Sequence, residues 1–328
     1  MKYCVTGATG FVGGQVARQL AAAGHQVTAV VRDPARARDL ADLGIELHPG
    51  DVTDKESLRA AMAGVDGVFH LAGWYKIGAR DKRPGEAVNI RGTQNVLELM
   101  HELRLPKGVY TSTLAVNSDT RGRRVDETYH FGGVRHLSEY DRTKAVAHEI
   151  AEAFIGRGLP LVIVQPGLVY GPGDTSSVRT TLIQYLQRRV PVVPQQTAFC
   201  WGHVDDIARG HLLAMEKGQA GQNYFLCGPA HTLVEALQIA QQITGIPAPR
   251  SAPPGVFKAL SAVMGVVEKV APVPESYTAE GLRIAAGVTY LGDNARARRE
   301  LGWEPRPLRE GLRTTLEHEM KRLGMTRA

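Results

Sequence analysis

Short apolar runs alternate with amphipathic stretches through the first two thirds of the chain. Lys2 to Val5, Val27 to Val31, Ile45 to Pro49, Gly67 to Leu71, Lys107 to Thr111 and Leu161 to Gln165 read as short buried strands. Between them, Gly14 to Ala23 places Val16, Ala17 and Leu20 on one helical face, and Ala35 to Leu43, Ser57 to Met62, Val88 to His101 and Tyr140 to Arg157 also read as helices. That order predicts an α/β fold: a doubly wound parallel sheet with helices on both faces. After Val164 the rhythm breaks into a loop at Gly171-Pro172-Gly173-Asp174, a helix over Val178 to Arg188 and a proline-bracketed segment from Pro247 to Pro274. These predict a smaller C-terminal lobe beside the sheet. Tyr224 to Cys227 looks like another buried strand, so the chain is expected to return to the sheet there.

The first strand runs straight into Thr6-Gly7-Ala8-Thr9-Gly10-Phe11-Val12-Gly13, which puts three glycines at a turn between strand and helix. A tight turn at Gly7, close backbone approach to a pyrophosphate at Gly10 and helix-on-strand packing at Gly13 each need a missing side chain. Thr9, Phe11 and Val12 complete this candidate phosphate site, where the free N–H groups of the helix start face the anion. The fold expected is therefore of the Rossmann type. Residues 1–165 form the dinucleotide-binding domain with 200–230 returning to it, and 166–199 and 231–328 form a substrate-binding lobe.

Composition narrows the picture without redirecting it. With 328 residues, 43% of them hydrophobic, the chain can bury a large core. Cys4, Cys200 and Cys227 follow no metal-ligand spacing and read as buried thiols in a reducing compartment, so no metal is expected. Met1 leads almost directly into the first strand, and no secretory signal is visible; a cytoplasmic protein is expected. Val256 to Val270, the longest apolar stretch, contains Lys258, Glu268 and Lys269 and is too short to span a bilayer. It could cover an apolar substrate or touch a membrane, with packing inside the lobe the first expectation. The net charge of +6 comes from scattered basic residues with no interleaved aromatic platform, which argues against nucleic acid as a partner.

Tyr140-Asp141-Arg142-Thr143-Lys144 supplies the candidate chemistry. Hydride transfer to a carbonyl leaves an alkoxide that needs a proton, and a phenol can donate it at neutral pH. A lysine four residues along a helix lies on the same face and favours the phenolate, lowering the tyrosine's pKa. For the cofactor, the end of the second strand decides: a carboxylate there suits the ribose 2′-hydroxyl of NAD, an arginine the 2′-phosphate of NADP. Arg32 comes first, Asp33 before Pro34 looks like a helix cap, and Arg36 and Arg38 add positive charge. NADP is expected, with NAD possible.

TGATGFVG at 6–13, GDVTD at 50–54, HLAG at 70–73, NIRGT at 89–93, YTST at 110–113, YDRTK at 140–144, QPGLVYGPGD at 165–174, HVDD at 203–206 and RRELGWEPR at 298–306 resemble the extended short-chain dehydrogenase/reductase superfamily along the full chain. The resemblance implies that Thr113, with Ser112 as fallback, polarises the carbonyl beside Tyr140, and that Lys144 also holds the nicotinamide ribose. It implies that Asp51 and Val52 flank the adenine, that Leu71, Ala72 and Gly73 line the ribose side, and that Pro166 and Val169 approach the nicotinamide. It further implies that Asn89 buttresses the sheet, that HVDD ties the lobes together, and that helices near Val88 to His101 and Tyr140 to Arg157 form a homodimer interface. Leu114-Ala115 stands where sugar dehydratases carry an Asp-Glu pair, and Gln165 and Leu168 replace the arginine and asparagine of sugar-nucleotide enzymes. The QPGLVYGP form is closer to dihydroflavonol 4-reductase and hydroxysteroid dehydrogenase relatives, which implies a ketone, aldehyde or alcohol on an apolar scaffold as the small-molecule substrate. An NAD-dependent nucleotide-sugar epimerase is the alternative, and a non-catalytic NADP-binding regulator a lesser one. His130, Phe131, Arg135, His136, Tyr170, Phe199 and Trp201 could line the pocket, although each taken singly reads first as core or surface.

Overall fold

The computed structural model describes residues 1–268, 270–271, 273 and 277–325. Seven strands build the main sheet: β1 (Lys2–Thr6), β2 (Gln26–Val31), β3 (Glu46–Pro49), β4 (Gly67–His70), β5 (Gly108–Thr111), β6 (Leu161–Pro166) and β7 (Asn223–Leu226). All are parallel, in the spatial order β7-β6-β5-β4-β1-β2-β3. The order reverses between β1 and β4, which opens a crevice at their carboxyl ends.

Alternation along the buried strands feeds two cores. Val162 and Val164 of β6 join Val5, Phe69 and Tyr224 on the face covered by helices α1 (Phe11–Ala22) and α5 (Val204–Lys217). Leu161 and Ile163 point the other way, to Val96, Leu97, Tyr110 and Phe154, beneath helices α2 (Thr93–Glu102) and α3 (Glu139–Gly156). Both faces being covered explains why these strands read as continuous apolar runs.

Some expected helices are interrupted. Over residues 35–43 the chain makes a 3₁₀ turn, Pro34–Arg36, then a short helix, Arg38–Ala41, and over 57–62 it does the same. Helix α2 is preceded by a widened π turn, Glu86–Gly92, where the buried Asn89 sits.

The second lobe is built on a small sheet. Strand Ala198–His203 pairs antiparallel with Ala230–Thr232 and parallel with Leu168–Tyr170 and Thr289–Tyr290. Its core gathers Tyr170, Leu182, Tyr185, Trp201, Leu237 and Leu316, closed by helices α4 (Ser177–Leu186), α6 (Leu233–Thr244) and α9 (Leu308–Arg322). Residues 200–203 thus lie in the small sheet, whereas 204–226 lie against the main one. Residues 114–137, inside the span expected for the first domain, pack with the lobe: Thr120 N–H donates to the Thr289 carbonyl at 2.8 Å, and Leu114 and Val125 share a cluster with Cys200, Cys227 and Tyr290. The apolar stretch 256–270 forms helix α7 (Pro254–Val267), followed by α8 (Ala279–Ala285); Lys269 and Pro274 lie outside the described residues. All three cysteines are free and buried.

Candidate active site

Gly7 has φ +79°, and a Cβ there would come within 2.5 Å of the Ala72 nitrogen and 2.7 Å of the Leu71 carbonyl carbon. A Cβ on Gly13 would lie 2.1 Å from the Gly7 oxygen. The two glycines therefore let β1, the start of α1 and the segment after β4 close on one another. Gly10 caps α1 with no side chain, and no acidic residue occupies its first turn. The positive end of the helix is left open at an exposed turn made by Thr9 and Gly10, with Phe11 and Val12 half-buried beside it. That cradle fits a diphosphate.

The other cofactor candidates follow the carboxyl ends of successive strands. Arg32, after β2, is exposed and makes no hydrogen bond or ion pair among the described residues. Asp33 is already engaged, its carboxylate accepting from Ala35 N–H at 3.0 Å as the cap of the 3₁₀ turn. After β3, Asp51 accepts from the Thr53 N–H and hydroxyl, both at 2.8 Å, while Val52 is buried and its carbonyl takes Asn95 Nδ2 at 2.9 Å. After β4, the Leu71 and Ala72 amides donate to Thr6 and Gly73 stays exposed. Pro166 ends β6, and Val169 lies half-buried in the short strand beyond it.

At the end of β5, Ser112 and Thr113 diverge. Ser112 Oγ is buried against His148 Nδ1 at 2.8 Å. Thr113 Oγ1 accepts from Ala115 N–H at 3.2 Å, capping the turn Leu114–Asn117. Helix α3, capped by Ser138 accepting from Asp141 N–H at 3.0 Å, presents Tyr140 and Lys144 one turn apart. The Lys144 ammonium, 5% exposed, donates to the Thr111 carbonyl at 2.7 Å and the Tyr110 hydroxyl at 3.1 Å, and lies over the Tyr110 ring. Burial drives Lys144 down to about 7 and holds the Tyr140 phenol well above the ordinary tyrosine range, with the Thr113 hydroxyl opposing. Counting only the ammonium's charge predicts a lowered phenol; the dry surroundings of both groups reverse that in the protein alone.

Further residues gather around these. Asn89 accepts from the Trp74 N–H at 2.7 Å and donates to the Trp74 carbonyl at 3.0 Å and Thr143 Oγ1 at 2.9 Å, pinning the loop after β4 to α3. Tyr75 on that loop sets its ring edge-on to Tyr140, centroids 4.8 Å apart. Asp141 accepts from the Tyr290 hydroxyl at 3.0 Å, and burial raises its carboxyl to about 6. Tyr290 in turn stacks on Phe199. Beneath Lys144, His70 is buried between Thr93 Oγ1, 3.1 Å from its Nε2, and Thr6 Oγ1, 2.7 Å from its Nδ1; burial drives His70 down to about 3, so it is neutral.

The remaining candidates separate. Tyr170 and Trp201 are in the core of the second lobe, and Arg135 is exposed. His130, Phe131 and His136 line a polar cavity of about 150 Å³ with Asn117, His148 and Gln165. In HVDD, His203 caps α5, Gln15 Nε2 donates to Asp205 at 2.8 Å, and Arg306 makes three hydrogen bonds to Asp206 at 2.8–3.0 Å. No group of three metal-ligating side chains occurs among the described residues.

A parallel sheet with a glycine turn at its switch point, and a hydroxyl, a tyrosine and a lysine at the same edge, defines an enzyme of the extended short-chain dehydrogenase/reductase class that uses a nicotinamide dinucleotide. The chain belongs to the NAD dependent epimerase/dehydratase family, whose pattern matches residues 3–227. It is 31% identical to a putative dihydroflavonol 4-reductase of Synechocystis sp., over 94% of this chain and 92% of that one. Sterol demethylase protein B of Methylococcus capsulatus is also 31% identical, over 93% and 94% respectively. Among solved structures, gox2253 superposes with a TM-score of 0.85 at 28% identity, covering 99% of both chains.

Proposed function

We propose that this chain is an NADP(H)-dependent oxidoreductase that interconverts a ketone or aldehyde and its alcohol on an apolar, polycyclic scaffold. The observation that carries the reading is Tyr140 and Lys144 one helical turn apart on α3, with Thr113 at the end of β5, at the sheet edge that also holds the glycine turn. A nicotinamide dinucleotide, when bound, supplies or takes up a hydride at the carbonyl carbon. Residues 7–13 would hold its diphosphate, Arg32 the 2′-phosphate, Asp51 and Val52 the adenine, Leu71 to Gly73 the ribose side, Lys144 the nicotinamide ribose, and Pro166 and Val169 the nicotinamide. Thr113 Oγ1 and Tyr140 Oη share the carbonyl oxygen, and Tyr140 gives up its proton as negative charge grows there.

Arg32 supports NADP over NAD, because it is exposed and unpaired where Asp33 is committed to its cap. The two relatives named for flavonoid and sterol chemistry support a polycyclic apolar substrate. The test is titration of the purified protein with NADPH and NADH, followed by turnover of flavanonols, steroids, aliphatic aldehydes and nucleotide sugars. Arg32→Ala is expected to weaken NADPH binding about tenfold and leave NADH binding within twofold. Equal losses for both cofactors would remove Arg32 from the 2′-phosphate site. Turnover of a nucleotide sugar alone, without net cofactor oxidation, would move the assignment to an epimerase.

A further inference from the structure

Helix α7 turns Phe257 and Met264 inward onto Leu282 and Ala286 of the α8 region, and Ser261 Oγ donates to the Ala279 carbonyl at 2.7 Å. Its outer face is aliphatic. Val256, Leu260, Val263 and Val266 are 40–65% exposed, and Val270 just past its end is 86% exposed. Steps of four, three and three residues put the four helical positions on one stripe. Tyr277, exposed just before α8, brings to six the share of this region among the twelve exposed large apolar side chains of the described residues. Singly exposed aliphatics need no explanation, but a contiguous stripe does.

Among the described residues, the unpaired charges around the stripe are those of lysines. Loop 75–83 is docked at its C-terminal end, where Arg80 Nη2 donates to the Ala271 carbonyl at 3.0 Å and Gly78 N–H to Glu280 Oε1 at 3.1 Å. That loop exposes Lys76 and Lys82, and α7 itself exposes Lys258; none has an ion pair among the described residues. Among the described residues the nearby acids are engaged: Asp81 holds Arg83 at 2.9 Å, and half-buried Glu268 and Glu280 accept backbone N–H groups. A second copy of this chain across a twofold axis would set these lysines against one another. An anionic surface would not.

We infer that the α7 stripe and its lysine rim dock on a bilayer containing anionic lipid. Aliphatic side chains enter the acyl boundary, Tyr277 sits at headgroup level and lysines meet lipid phosphates. No helix among the described residues is long and apolar enough to cross a membrane, so the protein lies on the surface. Tyr75 also touches Tyr140, so an apolar substrate would enter from the lipid side; that consequence alone rests on the proposed active site.

The test is co-sedimentation of the intact protein, without cofactor or substrate, with phosphatidylcholine vesicles with and without phosphatidylglycerol. Binding is expected to the anionic vesicles, weakening with salt. Val263→Asp and Val266→Asp should each weaken it about tenfold or more, and Lys76→Ala and Lys82→Ala about fivefold each, at unchanged melting temperature. No binding to anionic vesicles at low salt, or binding unaltered by all four substitutions, would overturn the inference. So would a dimer that Val263→Asp dissociates while the vesicles stay bare, which would assign the stripe to a second copy. Loss of reductase activity leaves this test untouched, because it reads no turnover.

Discussion

Lys144 is held in a dry site by two neutral oxygens, the Thr111 carbonyl and the Tyr110 hydroxyl, and this sets a pH dependence peculiar to the cofactor-free protein. Its ordinary pKa of 10.5 falls to about 7 on folding, by burial. Between those values the folded protein binds fewer protons than the unfolded chain, so stability rises as pH climbs above about 7 and is lost as pH falls through it. Urea unfolding at pH 7, 8 and 9 is expected to show the wild type gaining on Lys144→Met, by up to about 1.4 kcal/mol per pH unit. Parallel curves would mean that Lys144 folds charged. The spacing of Tyr140 and Lys144 was legible in the sequence because helical periodicity alone fixes it. Thr113 was preferred to Ser112 already in the sequence, by the family pattern, whereas the engagement of Ser112 with His148 needed the fold. Burial of the phenol and ammonium was likewise illegible, because it depends on Tyr75, Tyr110 and Tyr290 arriving from distant segments.

At the scale of elements, the turn between β1 and α1 is specified by atoms that are missing. Gly13→Ala would drive a methyl against the Gly7 oxygen, 2.1 Å away, and displace either the turn or the helix start. The variant is expected to lose dinucleotide affinity about tenfold or more and to melt at lower temperature, read by cofactor fluorescence titration and calorimetry. Wild-type affinity would show that the helix start does not hold the diphosphate. The long strands and helices were visible because their apolar positions repeat over several turns or pleats. Segment 35–43 was not, since Ala37 and Leu40 alone anchor it and the Asp33-Pro34 cap tightens its first turn. Strands of two or three residues, such as Thr289–Tyr290 and Ala230–Thr232, are too short to show a period and exist because Ala198–His203 offers them partners.

Across the whole molecule, the chain crosses between lobes several times, so neither half is a contiguous segment. At HVDD, Asp206 takes three hydrogen bonds from Arg306, and Trp303 Nε1, fully buried, donates to the Asp206 carbonyl at 2.6 Å. Asp206→Ala leaves the Arg306 guanidinium without that partner and is expected to cost about 2 kcal/mol, measured by denaturant unfolding. A change within about 0.5 kcal/mol would show that the Asp206–Arg306 pair contributes little to stability. The return of 223–226 to the sheet was legible as an apolar run, whereas the weaving of 114–137 into the second lobe was not, because its contacts with 289–292 span more than 160 residues of sequence.

The account turns on Tyr140 as the acid that protonates the substrate oxygen. The most direct measurement is NADPH oxidation with an apolar ketone by wild type and Tyr140→Phe, alongside NADPH binding by both. Turnover is expected to fall about 10²-fold or more in the variant, with NADPH affinity within a few-fold of wild type. Undiminished turnover in Tyr140→Phe would contradict the account.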